Sequence, residues 1–124
     1  MPRTKPEVEI PASAPPAELV IEDLDLGDGT EAQPGTHATV HYVGVAFSTG
    51  KEFEASWDRG RPVQFPLGAG WVIDGWERGV VGMRVGGRRK LTIPPDLGYG
   101  DQGGGTVIDP GETLVFVVDL IGAQ

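Results

Sequence analysis

Three glycines sit inside the one amphipathic helical stretch of this chain, and no other feature constrains its fold as strongly. In residues 72–83, VIDGWERGVVGM, the apolar Ile73, Trp76, Val80 and Met83 step by three, four and three. That spacing sets them on one face of a helix of about three turns, with Asp74, Glu77 and Arg78 elsewhere. Gly75, Gly79 and Gly82 each weaken such a helix by roughly 1 kcal/mol relative to Ala. A helix this poor has to be held from outside, and glycine allows its backbone to come close to another surface. The flanking segments read as strands, so a short helix lying against a sheet is expected. Asp74 and Glu77 fall in the first turn, where carboxylates favour the helix dipole, and Gly86-Gly87 follow as a stop.

With 124 residues the chain suffices for one domain and one core. Its 20 Gly and 11 Pro predict many turns between short strands rather than more helix. It contains no Cys, which excludes thiolate nucleophiles, thiolate metal sites and disulfides. A net charge of −8 opposes nucleic-acid phosphates. Arg84, Arg88, Arg89 and Lys90 run against that trend and read as a solvated strand edge, charged against strand addition. Residues 1–7 lack the basic-then-apolar order of a secretory signal, and no apolar run reaches membrane-spanning length, so a cytoplasmic location and no membrane partner are expected.

Residues 1–17 carry Pro2, Pro6, Pro11, Pro15 and Pro16 and little that could pack, and read as a flexible arm ahead of a domain at 18–124. Residues 18–26 form a strand with room for a bulge before Gly27-Asp28-Gly29. THATVHYVGVAF, residues 36–47, is a long central strand with Ala38, Val40, Tyr42 and Gly44 on one face. Ser48-Thr49-Gly50-Lys51 is a hairpin turn into residues 52–55, with Phe53 inward. Residues 56–62 read as polar and irregular. Residues 63–67 make an edge strand, since Pro62 and Pro66 lack the N–H a central ladder needs. Residues 88–93 are a strand stopped by Pro94-Pro95, and 113–121 a half-buried one with Leu114, Phe116, Val118 and Leu120 inward. The glycine-rich loop 96–112 around Tyr99 is long enough to suggest a functional role. The fold class is α+β, an antiparallel sheet curled over the helix, with an apolar pocket between sheet, helix and loop.

Catalytic groups of the usual kinds find no support. His37 and His41 sit about 13 Å apart along one strand, too far to share a metal. No phosphate loop, dinucleotide fingerprint or serine elbow is present. What remains is a cavity with Tyr42, Phe53, Phe65, Trp76, Tyr99 and Phe116 as candidate walls, residues that would serve equally as plain core.

Three motifs narrow this reading. VHYVG at 40–44, VIDGWERGVVGMRVGGRRKLTIPPDLGYG at 72–100 and GETLVFVVDL at 111–120 resemble the FKBP family of peptidyl-prolyl cis-trans isomerases, and the likeness runs in order over residues 19–121. The resemblance implies a strongly twisted antiparallel sheet of about five strands around one short α-helix, and X-Pro bond rotation in an aromatic pocket in the service of protein folding. Trp76 would be the floor, with Tyr42, Phe65 and Phe116 as walls and Val72 and Ile73 at the rim. Tyr99 and Ile108 would close the loop side, and Phe53, Glu54 and Arg59 the polar flank. Three positions depart from the family pattern: Glu54 stands where Asp is usual, Val63 where a larger aromatic often sits, and Gly104 in a variable loop. The implied partners are proline-containing polypeptides and tacrolimus-like or rapamycin-like macrolides, bound by a monomer without metal or cofactor. The same aromatics would also suit a non-catalytic proline-segment or macrolide-binding module.

Overall fold

The computed structural model describes residues 4–10, 14–100, 103 and 108–124. Six strands form one antiparallel sheet: β1 (Val20–Asp25), β2 (His37–Ala46), β3 (Glu52–Ala55), β4 (Val63–Pro66), β5 (Arg88–Ile93) and β6 (Leu114–Ala123). A one-turn helix α1 (Ser56–Arg59) separates β3 from β4, α2 (Asp74–Gly79) precedes β5, and a 3-10 turn (Pro95–Leu97) follows it. The strand order is β1-β5-β6-β2-β3, with β4 also on β2. One edge of β2 is thus shared: Val40 to His37 pair with Val63 to Pro66 of β4, and Val43 to Val45 with β3. Its other edge pairs with β6 over nearly its full length, from Ala38↔Ala123 to Ala46↔Leu114.

The long alternating runs are buried at the centre, as their pattern requires. Ala38, Val40 and Tyr42 of β2 join Leu91 and Ile93 of β5, and Leu114, Phe116, Val118 and Leu120 of β6, in the main core, which the helix stripe closes with Trp76, Val80 and Met83. The opposite face of β2 and β6 has a second apolar cluster of Val43, Val45, Phe47, Ala55 and Val115. Alternation alone does not reveal that both faces of the sheet centre are covered.

Several elements differ from the sequence reading. Among the described residues the antiparallel sheet around a short helix is as expected, with six strands where about five were expected and a one-turn helix α1 in addition to α2. Helix α2 stops at Gly79 instead of running three turns, and Gly82 at φ +92° lies in the left-handed region, where a right-handed helix cannot continue. Val80 and Met83 keep their buried places through turn bonds, Val80 N–H to Trp76 O at 3.0 Å and Met83 N–H to Val80 O at 3.0 Å. Residues 56–59 are helical rather than irregular, anchored by Ser56, whose buried hydroxyl accepts the Tyr42 N–H at 2.7 Å.

The basic cluster is not at a sheet edge. β5 lies between β1 and β6, and its arginines meet carboxylates on both neighbours. Arg88 bonds the buried Asp119 of β6 in bidentate fashion at 2.6 and 3.1 Å, and Arg89 bonds Asp23 of β1 at 2.7 Å. Arg89 also donates to the carbonyls of Gly79 and Val81, where α2 ends, at 2.9 and 3.1 Å.

Residues 4–10, within the stretch expected to pack little, have specific partners. Val8 and Ile10 pack on the second cluster beside Trp57. Lys5 reaches Glu52 of β3 at 2.8 Å and Asp58 of α1 at 2.9 Å. Arg88 and Lys90 donate to the carbonyls of Thr4 and Glu9. Two partly buried aliphatic side chains at about 1 kcal/mol each outweigh exposed ion pairs here. A chain beginning at Ala14 should therefore unfold about 5–10 °C lower than the full chain in calorimetry. An unchanged midpoint would show that these contacts contribute nothing.

Candidate functional site

Helix α2 carries Trp76 toward the concave side of the sheet, where four aromatic rings come together. Trp76 meets Tyr42 edge-on (4.9 Å between centroids, 79°) and Phe116 likewise (5.3 Å, 85°), while Phe65 leans on it at 5.7 Å and 49°. Edge-to-face contacts of this kind satisfy the ring quadrupoles and fix the rings' orientations. Only 6% of Trp76 is exposed, and its Nε1 has no hydrogen-bond partner among the described residues, so packing holds it.

Each wall comes from a strand whose alternation points it inward: Tyr42 from β2, Phe65 from β4 and Phe116 from β6. Phe53 of β3 stands behind Phe116, edge-on at 5.6 Å and 89°. Gly44 makes room for that meeting, since a Cβ there would fall 2.6 Å from Phe116 and 2.7 Å from Phe53.

A cavity of about 560 Å³ opens in front of these rings. Tyr42, Glu54, Phe65, Val72, Ile73, Trp76, Tyr99 and Phe116 line it, eight of the eleven residues picked from the sequence. The other three stand elsewhere. Phe53 backs a wall, Arg59 lies behind Tyr42, and Ile108 is 6% exposed within the main core instead of lining the loop side. Val63, Gln64 and Trp71 also line the cavity. Of these, Val63 is marked in the sequence only as a departure from a family pattern, and Gln64 and Trp71 carry no periodic signal. Gly104 and much of the loop around it lie outside the described residues.

The polar flank is built from β3, α1 and the Tyr42 hydroxyl. Arg59 donates to Tyr42 Oη at 3.0 Å, its guanidinium carbon is 5.8 Å from the ring centroid, and it approaches Glu54 Oε2 at 3.7 Å. Burial pushes the Tyr42 hydroxyl up to about 12, against the opposing pull of Arg59. Tyr99 is raised as well, chiefly by burial. Both phenols keep their protons at neutral pH and can donate hydrogen bonds. The Ile73 N–H donates to no described group, while the Ile73 carbonyl accepts from Trp76 and Glu77.

A larger recess of about 860 Å³ lies on the opposite face of the sheet, lined by Thr4, His41, Trp57, Arg88 and Asp119 among others. It contains none of the four clustered rings. His41 there is stacked on Trp57 at 4.1 Å and bonded to Ser56 Oγ at 2.8 Å, while His37 is exposed at the start of β2. The concave cavity has the apolar walls and the few inward polar groups that small-molecule sites combine.

Residues 29–121 match the model of the FKBP-type peptidyl-prolyl cis-trans isomerase family. The chain is 64% identical over 118 residues to an FK506-binding protein of Streptomyces anulatus, which covers 94% of this chain and 95% of the relative. It is 54% identical over 119 residues to a probable FK506-binding protein of Corynebacterium glutamicum, with coverage of 96% and 98%. Among solved structures, AtFKBP13 is similar at a TM-score of 0.80 and 39% identity, covering 90% of this chain and 98% of its own. FkpA of Escherichia coli is similar at 0.78 and 34%, covering 97% and 53%. This chain belongs to the FKBP family and is a peptidyl-prolyl cis-trans isomerase, an enzyme that accelerates rotation about X-Pro bonds.

Proposed function

We propose that turnover takes place in the concave cavity, with the proline ring on Trp76 between Tyr42, Phe65 and Phe116. Rotation about a peptide bond faces a barrier of about 18–20 kcal/mol because the planar amide has partial double-bond character, and X-Pro bonds exchange over tens of seconds or longer. Twisting the amide ends that resonance and lowers its polarity. A dry aromatic cavity disfavours the planar ground state more than the twisted one, so it binds the transition state better. The observation that carries this reading is the ring cluster around Trp76, with Tyr42 and Phe116 edge-on at 4.9 and 5.3 Å and Phe65 tilted against it at 5.7 Å.

The polar groups orient the substrate. The Ile73 N–H takes the carbonyl of the proline itself, and the Tyr99 hydroxyl takes a carbonyl on the loop side. Glu54 and Arg59 form the polar flank through the Tyr42 hydroxyl, with Phe53 supporting Phe116 and Val72 at the rim. Ile108 acts from within the core, behind the loop wall. An acceleration of ~10⁴ needs only about 5.5 kcal/mol, within reach of differential desolvation and a few fixed hydrogen bonds.

The domain at 18–124 is the catalytic unit in this reading and residues 1–17 are its arm. The enzyme acts as a cytoplasmic monomer on proline-containing polypeptides, and tacrolimus-like or rapamycin-like macrolides compete for the cavity. An isomerisation assay on an X-Pro peptide with macrolide present tests the whole: turnover is expected, and stoichiometric macrolide should abolish it. Turnover that macrolide leaves untouched would move the reaction out of the cavity.

No step transfers a proton, so activity should be flat from about pH 6 to 8, and a bell-shaped profile would contradict the mechanism. Stability has its own pH signature. Tyr42 ionises near 10 when unfolded and at about 12 when folded, so the folded state holds the proton more tightly. That contribution is complete below about pH 10 and is lost as pH rises through 12. Urea melts at pH 9 and pH 11 should show a fall that is smaller in Tyr42→Phe than in the parent. An equal fall in both would place the loss elsewhere.

A further inference from the structure

Trp71 lines the cavity yet remains 75% exposed, whereas Trp76 at the floor is 6% exposed. An aromatic side chain stabilises a fold mainly through the area it buries, and at this exposure Trp71 contributes little of that. The backbone turn that leads into it is nevertheless tied to the sheet. Gly68 and Gly70 hold φ of +85° and +77° in the turn before it, and that turn is tied down by Leu67 N–H to Thr36 O at 2.8 Å and Gly35 N–H to Leu67 O at 2.9 Å. Val72 and Ile73 follow directly and lead into α2. The indole therefore stands at the mouth of the cavity, two residues from the Ile73 N–H.

That N–H, in the binding mode proposed above and on which this inference rests, takes the proline carbonyl. The polypeptide then leaves the cavity past residues 71–73, and the next residue meets the indole. We propose that Trp71 is a specificity-determining residue that receives the side chain of Z in X-Pro-Z, favouring aromatic and long aliphatic Z over glycine. An exposed indole offers such side chains a broad apolar face, and stacked or edge-on pairs add to the area they bury. Acidic Z is disfavoured, since Glu54 lines the same cavity and the chain carries a net charge of −8.

The test measures cis-trans exchange by NMR, which leaves Z free to vary, on peptides with Z as Phe, Leu, Gly or Asp. For the parent, kcat/KM with Phe should exceed that with Gly by about two- to tenfold, mostly through KM. In Trp71→Ala the ratio should fall toward one, with Trp71→Phe in between. A second series varies X at fixed Z, and its profile should be the same in parent and variant. A parent without preference at Z, a preference that survives Trp71→Ala, or a change confined to the X series would each overturn the assignment. Trp76→Leu, run alongside, separates this from failure of the cavity itself. If it spares turnover on every peptide, the cavity is not the site and the Trp71 assignment goes with it. If it abolishes turnover while the parent's Z profile is flat, only Trp71 is misassigned.

Discussion

The approach of α2 to β5 is the contact on which the site depends. An added Cβ at Gly75 would fall 2.6 Å from Ile93 Cδ1 and Cγ2, and one at Gly79 2.7 Å from both Leu91 Cδ atoms. Both partners are fully buried, so neither can swing into solvent. Glycine costs helix propensity at these positions and in return brings the helix backbone onto the side chains of the sheet. Trp76, lying between the two, is thereby set into the concavity. Arg89 completes the junction from β5 by taking the carbonyls of Gly79 and Val81.

The same economy of space recurs on the far side of the cavity, where Gly44 admits Phe53 and Phe116 to the place its own side chain would fill. Rings from β2, β3, β4, β6 and α2, most of them meeting edge-on and Phe65 of β4 tilted, form a wall that no single element could support. Behind it, Ser56 ties α1 to the backbone of Tyr42, and Arg59 of α1 returns to the Tyr42 hydroxyl. The polar flank and the aromatic wall are therefore one construction. A rigid, apolar enclosure of this kind suits a reaction whose difficulty lies in amide resonance rather than in moving protons.

Much of this was legible in the residues. The β-branched run 36–47 became β2 (His37–Ala46) and the alternating run 113–121 became β6 (Leu114–Ala123), because a strand buried at the sheet centre has to alternate or be apolar throughout. Eight of the eleven chosen residues line the cavity. The failures share a cause in contacts distant along the chain. Periodicity carried α2 past Gly79, since it does not report the left-handed backbone at Gly82. The helix at 56–59 depends on a Ser56 bond to a residue 14 positions away. The basic cluster looked like an edge because its partners Asp23 and Asp119 lie on other strands. The partners of Val8 and Ile10 are likewise far along the chain, on the second cluster. Trp71 belongs to no apolar stripe, so periodicity gives no sign of its place at the cavity.

Gly75→Ala tests the central contact most directly, because two physical effects predict opposite signs. Helix propensity alone favours Ala over Gly by about 0.5–1 kcal/mol. The close approach predicts the reverse, since Ile93 is β-branched, stiff at χ1 and fully buried, and overpacking such a site costs about 1–3 kcal/mol. Urea unfolding of parent and variant, read together with isomerase activity, should show Gly75→Ala less stable by about 1 kcal/mol or more and less active as Trp76 is displaced. A variant that is more stable and fully active would contradict the account, because the helix would then not owe its position to the backbone lying against β5.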